Sequence, residues 1–218
     1  MPRMRWVVLA AVCVGVVVGF IAAYSIVLRM KAESLIRNAS IVSQHLGETS
    51  SAGTVQAIYK GRLTQEPGCT PAYCGYEVVE SNSVLAALHL APYSELRSEI
   101  WFRDGILSAT FLHFTSNANP NHSIVSHVYI QEGKGLEFDL DPWEESSPPD
   151  TNGIVDVSPE SLKAHAQTVL GFDTTCLTSH RGCISVAELL PTVWEQRKDG
   201  RIRCRLKNHE GFIESPWK

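Results

Sequence analysis

The sequence predicts an α+β protein: an N-terminal transmembrane helix followed by an antiparallel β-meander domain with two or three helices. Three observations carry this expectation. Residues 6–28, WVVLAAVCVGVVVGFIAAYSIVL, hold no charge. Asp104-Gly105 lies between two runs of strand-forming residues, EIWFR and ILSATFLHF. Beyond it, SIVSHVYIQ and LEFDLD keep the two-residue alternation of a strand with one covered face.

Residues 1–5 form a short tail carrying Arg3 and Arg5. At roughly 1.5 Å per residue, residues 6–28 span about 35 Å as a helix, enough to cross a bilayer's hydrocarbon core with some tilt. A backbone in lipid must satisfy its own N–H and C=O groups, which selects the helix. The run is longer than a signal-peptide core of about 7–15 residues, and Ile21 stands where a cleavage site needs a small residue. An uncleaved anchor is therefore expected, with the lipid bilayer as its partner. Arg29, Lys31 and Arg37 balance Arg3 and Arg5, so flanking charge does not set the orientation.

Residues 29–53 read as a juxtamembrane helix and linker. Ala32, Leu35, Ile36, Ala39, Val42 and Leu46 recur at helical spacing, and Gly47 stands where a left-handed cap would end the helix. Either the anchor runs on as one rod that holds the domain off the bilayer, or a separate helix follows it. ETSSAG, residues 48–53, reads as a hinge or linker.

Residues 54–218 form the domain, with a sub-boundary at 141–153, the acidic and proline-rich DPWEESSPPDTNG. Val55–Leu63 reads as a strand and Gln65–Gly75 as a loop. Tyr76–Glu80 and Val84–Leu90 read as a hairpin about Ser81-Asn82-Ser83, although the Ala and Leu content of the second run also suits a short helix. Asp104-Gly105 is a type I′ turn signal, since both central residues need positive φ. Glu99–Leu140 is then a four-stranded meander, in which Leu136, Phe138 and Leu140 face one way and Glu137, Asp139 and Asp141 the other. Ser158-Pro159-Glu160 opens a helix with an N-cap, a proline at the first position and an acid in the first turn. Gly171 closes it. Val186–Leu190 is a short helix stopped by Pro191. Val193–Lys207 is a second hairpin about Asp199-Gly200, with Ile202, Cys204 and Leu206 turned inward.

Five cysteines lie outside the anchor, four in tight local pairs, Cys69/Cys74 and Cys176/Cys183. Local closure favours these two disulfides and an oxidising compartment. That places the large domain on the extracytoplasmic side and the N-terminus in the cytoplasm. Other pairings stay open: Cys204 is either a buried thiol or a partner of Cys176 or Cys183. Zinc is the competing use. Cys69-x4-Cys74 has ligand spacing and His180 lies inside the second pair, but Cys176-x6-Cys183 is too wide.

Two further groups are candidate sites. His113 and His127 fall on consecutive strands, and Glu137 and Asp139 on the next; in matching register they would form a polar cluster suited to a metal or to general base work. The ordinary alternative is a set of hydrogen-bonded structural histidines. Arg201, Arg203, Arg205 and Lys207, with Arg197 and Lys198, form a basic surface that would suit anionic lipid, a polyanion or an acidic protein, or simply a solvated strand face that discourages edge pairing.

Net charge is −4, which gives no field favouring nucleic acid. G-x-S-x-G, H-E-x-x-H, P-loop and G-x-G-x-x-G patterns are absent from the sequence. The processing motif of pilin-like proteins is absent too: after Gly19-Phe20, Tyr24 stands where a glutamate is needed. No cofactor is implied. The leading expectation is a membrane-anchored extracytoplasmic interaction or scaffold domain with a protein or polyanion partner. The alternatives are a metal-dependent or hydrolytic enzyme using His113 and His127, or a small-ligand or lipid-binding domain with a cavity under the sheet.

Overall fold

The computed structural model describes residues 2–47, 49, 52–119, 122–131, 135–142, 154–155, 170–196, 198 and 202–204. Helix α1 (Pro2–Ser43) is one unbroken helix of 42 residues. Gly47 follows at φ 81°, and its N–H donates to the Leu107 carbonyl at 2.9 Å, so the end of this segment is also a tertiary joint. The elements after it are α2 (Ala52–Ile58), β1 (Thr64–Gln65), β2 (Tyr73–Ser81), α3 (Ser83–Ala87), β3 (Ser94–Arg103), β4 (Ile106–Asn119), β5 (His122–Gln131), β6 (Gly135–Pro142) and β7 (Ile154–Val155). A 3₁₀ turn (Thr174–Leu177), α4 (Val186–Leu189) and the hairpin β8 (Trp194–Gln196) and β9 (Ile202–Cys204) complete the described chain.

Strands β1 to β7 form one sheet in chain order, each antiparallel to the next. The meander expected over Glu99–Leu140 is its centre, so the fold is α+β as the sequence predicts. Asp104 and Gly105 have φ of 51° and 77°, as a type I′ turn requires. The register slips between Trp101 and Phe102, and again between Ser116 and Asn119. Trp101 faces Ala109 while Phe102 faces Leu107, which leaves Ser108 as a bulge whose hydroxyl donates to the Trp101 carbonyl at 3.0 Å.

Alternation gives the sheet two unlike faces. Leu96, Ser98, Ile100 and Phe102 of β3, Thr110, Leu112 and Phe114 of β4, and Val128 and Ile130 of β5 are buried. Onto them pack Leu28, Ala32, Leu35, Ala39 and Val42 of α1, Val55 and Tyr59 from the α2 segment, and Phe172, Leu177 and Leu190 from the C-terminal part. The register pairs Leu136 and Phe138 of β6 with Ile130 and Val128. The C-terminal half of α1 is therefore the central core helix. The alternating 4- and 3-residue steps from Leu28 to Val42 keep its apolar stripe on the sheet.

Three local expectations change. Val55–Leu63 is not a strand; its first part lies in α2. Val55 and Tyr59, four residues apart, share one helical face and are both buried, and Lys60 and Gly61 at φ 55° and 70° end the turn. Ser81-Asn82-Ser83 does not close a hairpin but leads into α3. The partner of β2 is β3, which begins at Ser94 rather than near Glu99. The helix expected from Ser158 lies outside the described residues until Leu170, which is buried.

Both local disulfides are present, Cys69–Cys74 and Cys176–Cys183. The second is part of the core, with Cys176 fully buried. Tyr59 is also fully buried, its phenol 3.0 Å from the Ser98 hydroxyl. Burial holds its pKa well above the ordinary tyrosine value, against the smaller opposing effects of that hydrogen bond and of Arg62.

Candidate functional site

His113 belongs to the face of the sheet opposite α1, together with residues of β2 and β3. Strand β3 reads S-E-L-R-S-E-I-W, so Glu95, Arg97, Glu99 and Trp101 alternate with its buried residues. On β4 the same face carries Phe111, His113 and Thr115; on β2 it carries Glu77 and Val79. Trp101 lies over Gly75 and stacks on Tyr73 at 4.8 Å between ring centroids. A Cβ on Gly75 would come within 2.7 Å of the indole, so this close approach needs glycine.

Arg97 is the hub. Its guanidinium donates to Glu95 Oε1 at 3.0 and 3.2 Å and lies 3.3 Å from Glu77 Oε2 and 4.0 Å from Glu99 Oε1. Burial disfavours its charge, but the Glu95 hydrogen bonds and the three carboxylates outweigh it and raise its pKa. The Tyr93 hydroxyl donates to Glu95 Oε2 at 2.6 Å. That bond, then burial and the carboxylate's charge, raises the Tyr93 pKa. Burial, followed by the negative charges of Glu99 and Glu77, raises the Glu66 pKa as well.

His113 sits beside this network, Nε2 at 3.7 Å from Glu99 Oε1, with its ring stacked on Phe111 at 5.7 Å. By backbone register, three of the four residues read from the sequence as a polar cluster fall in one row. His113 is opposite His127, and His127 is opposite Asp139. Glu137 falls in the neighbouring row, Glu99–Phe111–Tyr129–Glu137. The side chains of His127, Glu137 and Asp139 lie outside what the structure describes. Among the described residues no group of three His, Cys, Asp or Glu side chains is placed to hold a metal ion. Arg97 and Glu99 were missed by a reading centred on histidine, yet the alternation of β3 points to them.

The basic surface is only partly visible. Arg203 lies in β9 opposite Glu195 of β8, and Lys198 is exposed. Arg197, Arg201, Arg205 and Lys207 lie outside the described residues. Of a cavity beneath the sheet, the covered face shows packed side chains such as Leu35, Tyr59 and Phe114. An open cleft lies instead between α2 and the first disulfide, lined by Ala52, Gln65, Cys69, Thr70 and Phe102 among others. Comparison with protein-family models, with characterised proteins and with solved structures finds no match to this chain.

Proposed function

We propose that the chain is a single-pass membrane protein whose extracytoplasmic domain is an interaction or scaffold module, engaging a partner through the open face of the sheet. The observation that carries this reading is the asymmetry of the sheet. One face is filled by α1, α2 and the C-terminal segment, while the other carries the polar and charged side chains of Glu77, Glu95, Glu99, Arg97 and His113. The apolar half of α1 supports the tether, and the two disulfides support an oxidising side. The basic β8–β9 hairpin is a second surface on the same module.

The test is photocrosslinking in native membranes from probes at Val79 and Thr115 on the open face, with Lys60 beyond α2 as control. One discrete adduct shared by the two face positions and absent at Lys60 is expected. Adducts equal in mass and yield at all three positions would refute an interaction face. Release of the protein by alkaline carbonate would refute the tether.

A second reading, metal-dependent or hydrolytic chemistry, is favoured by one observation: the register that aligns His113, His127 and Asp139. Elemental analysis of the purified protein and assay of hydrolytic activity decide it. Stoichiometric metal lost in His113→Ala supports its metal-dependent form and metal-free protein removes that form, while hydrolytic activity unchanged in His113→Ala and His127→Ala removes the other.

A further inference from the structure

The end of the domain where α1 arrives exposes a group of apolar side chains, with the exposed His180 and Arg181 beside them. α1 first meets the domain at Tyr24, whose hydroxyl donates to the Ser81 carbonyl at 3.3 Å. Arg29 Nε then donates to the Thr178 hydroxyl, and Lys31 Nζ lies 3.9 Å from Glu80 Oε2. The uncharged run reaches Leu28, four residues past Tyr24, or about 6 Å further along the axis. The end of β2 and the turn after Leu177 thus sit level with helix surface that is still apolar. Ile26 and Val27 there are exposed.

Two loops form this tip: α3 with its return to β3, and residues 178–185. Outside α1, seven large apolar side chains are exposed among the described residues, and five of them are here: Val84, Leu88, Leu90, Tyr93 and Ile184. Leu88 and Ile184 are the most open of the seven, at 52% and 56%. The tip is held in shape. Asn82 is fully buried, and its amide donates to the Pro92 and Leu177 carbonyls at 2.8 Å each while its oxygen accepts from Ser94 N–H at 2.8 Å. His180 Nδ1 lies 3.1 Å from the Leu90 carbonyl, which ties the two loops together. His89 stands at φ 56°, a strained conformation for a residue with a Cβ, between the exposed Leu88 and Leu90. A fixed apolar tip beside an apolar helix matches the chemistry of the headgroup–acyl boundary, where aromatic and aliphatic side chains settle with cations nearby.

We propose that this tip docks on the bilayer that α1 crosses, with Leu88, Leu90 and Ile184 set into the interface. The domain then lies against the membrane instead of hanging clear of it. The proposal rests on the reading of α1 as a membrane span, and the test separates the two. Full-length protein is reconstituted in phosphatidylcholine vesicles doped with a phospholipid carrying a diazirine near the acyl carbonyl. After illumination, labelled peptides are mapped by mass spectrometry. Label is expected on residues 6–28 and also on 84–93 and 178–185. In Leu88→Ser/Leu90→Ser the 84–93 label falls at least fivefold while the helix label is unchanged. These side chains are exposed, and circular dichroism checks that the variant folds. A labelled helix with an unlabelled tip overturns the docking and spares the anchor. An unlabelled helix overturns the anchor and the docking with it.

Discussion

The two halves of α1 are made of similar residues and have opposite surroundings. Valines, alanines and leucines fill both. From Trp6 to Phe20 every residue is exposed; from Leu28 to Val42 a residue is buried at every third or fourth position. The first half is apolar all round, so no single protein face could cover it. The second half mixes its apolar stripe with Arg29, Lys31, Glu33 and Arg37, and that stripe fits one sheet. Hydrophobicity alone does not separate a membrane span from a core helix; its distribution around the axis does.

The largest break expected of this contrast is Leu35→Ala. Leu35 is fully buried between α1 and the sheet, and deleting such a side chain costs about 2–5 kcal/mol. Val14→Ala, on the exposed half, should leave the domain's melting point unchanged. Thermal denaturation of the full-length protein in detergent, followed by near-ultraviolet circular dichroism, compares the two. Equal effects would erase the distinction.

Tyr59→Phe sharpens the comparison from the side of the core that α1 covers. It removes the hydrogen bond with Ser98, worth about 1 kcal/mol. It also carries a pH signature. The folded pKa lies above the unfolded value of about 10, so the unfolded state loses its proton first. The stability this group contributes is fully present below pH 10 and is lost as pH rises through the folded pKa. Denaturant titrations at pH 8 and above 10 should show a fall that is smaller in Tyr59→Phe. An identical fall would mean that other groups dominate.

The smallest effect expected is at the junction of the halves. Lys31 pairs with Glu80 at 3.9 Å but keeps half its side chain in solvent, and such pairs are worth about 0.5 kcal/mol, less in salt. Glu80 also has Arg62. Lys31→Ala should therefore shift the denaturation midpoint only slightly, and less at high salt. A shift as large as that of Leu35→Ala would show that the charge pair, not the apolar stripe, fastens α1 to the sheet.

Much of this fold is written locally. The Asp104-Gly105 turn, the alternation of the central strands and the two short cysteine rings depend on residues close in sequence, so they are legible without a partner. Val55–Leu63 misled because β-branched and aromatic residues over a short run satisfy a strand template as readily as a helical face. The register of His113, His127 and Asp139 could not be read, because it depends on the irregularity between Ser116 and Asn119 and on the turns joining neighbouring strands. The exposure of Leu88 and Ile184 was equally hidden, since apolar residues in short segments read as core.

By itself the sequence determined an uncharged helix and an antiparallel meander, and favoured two covalent loops, because each follows from chain periodicity or contact over a few residues. Only the tertiary structure decided that the second half of α1 is the core of the domain. It also decided that Glu77 of β2 joins Arg97, and that a group of exposed apolar side chains stands beside the emerging helix. Those facts join residues far apart in sequence, as Tyr24 and Ser81 are. Such pairings are fixed by how whole elements pack, which no local pattern encodes.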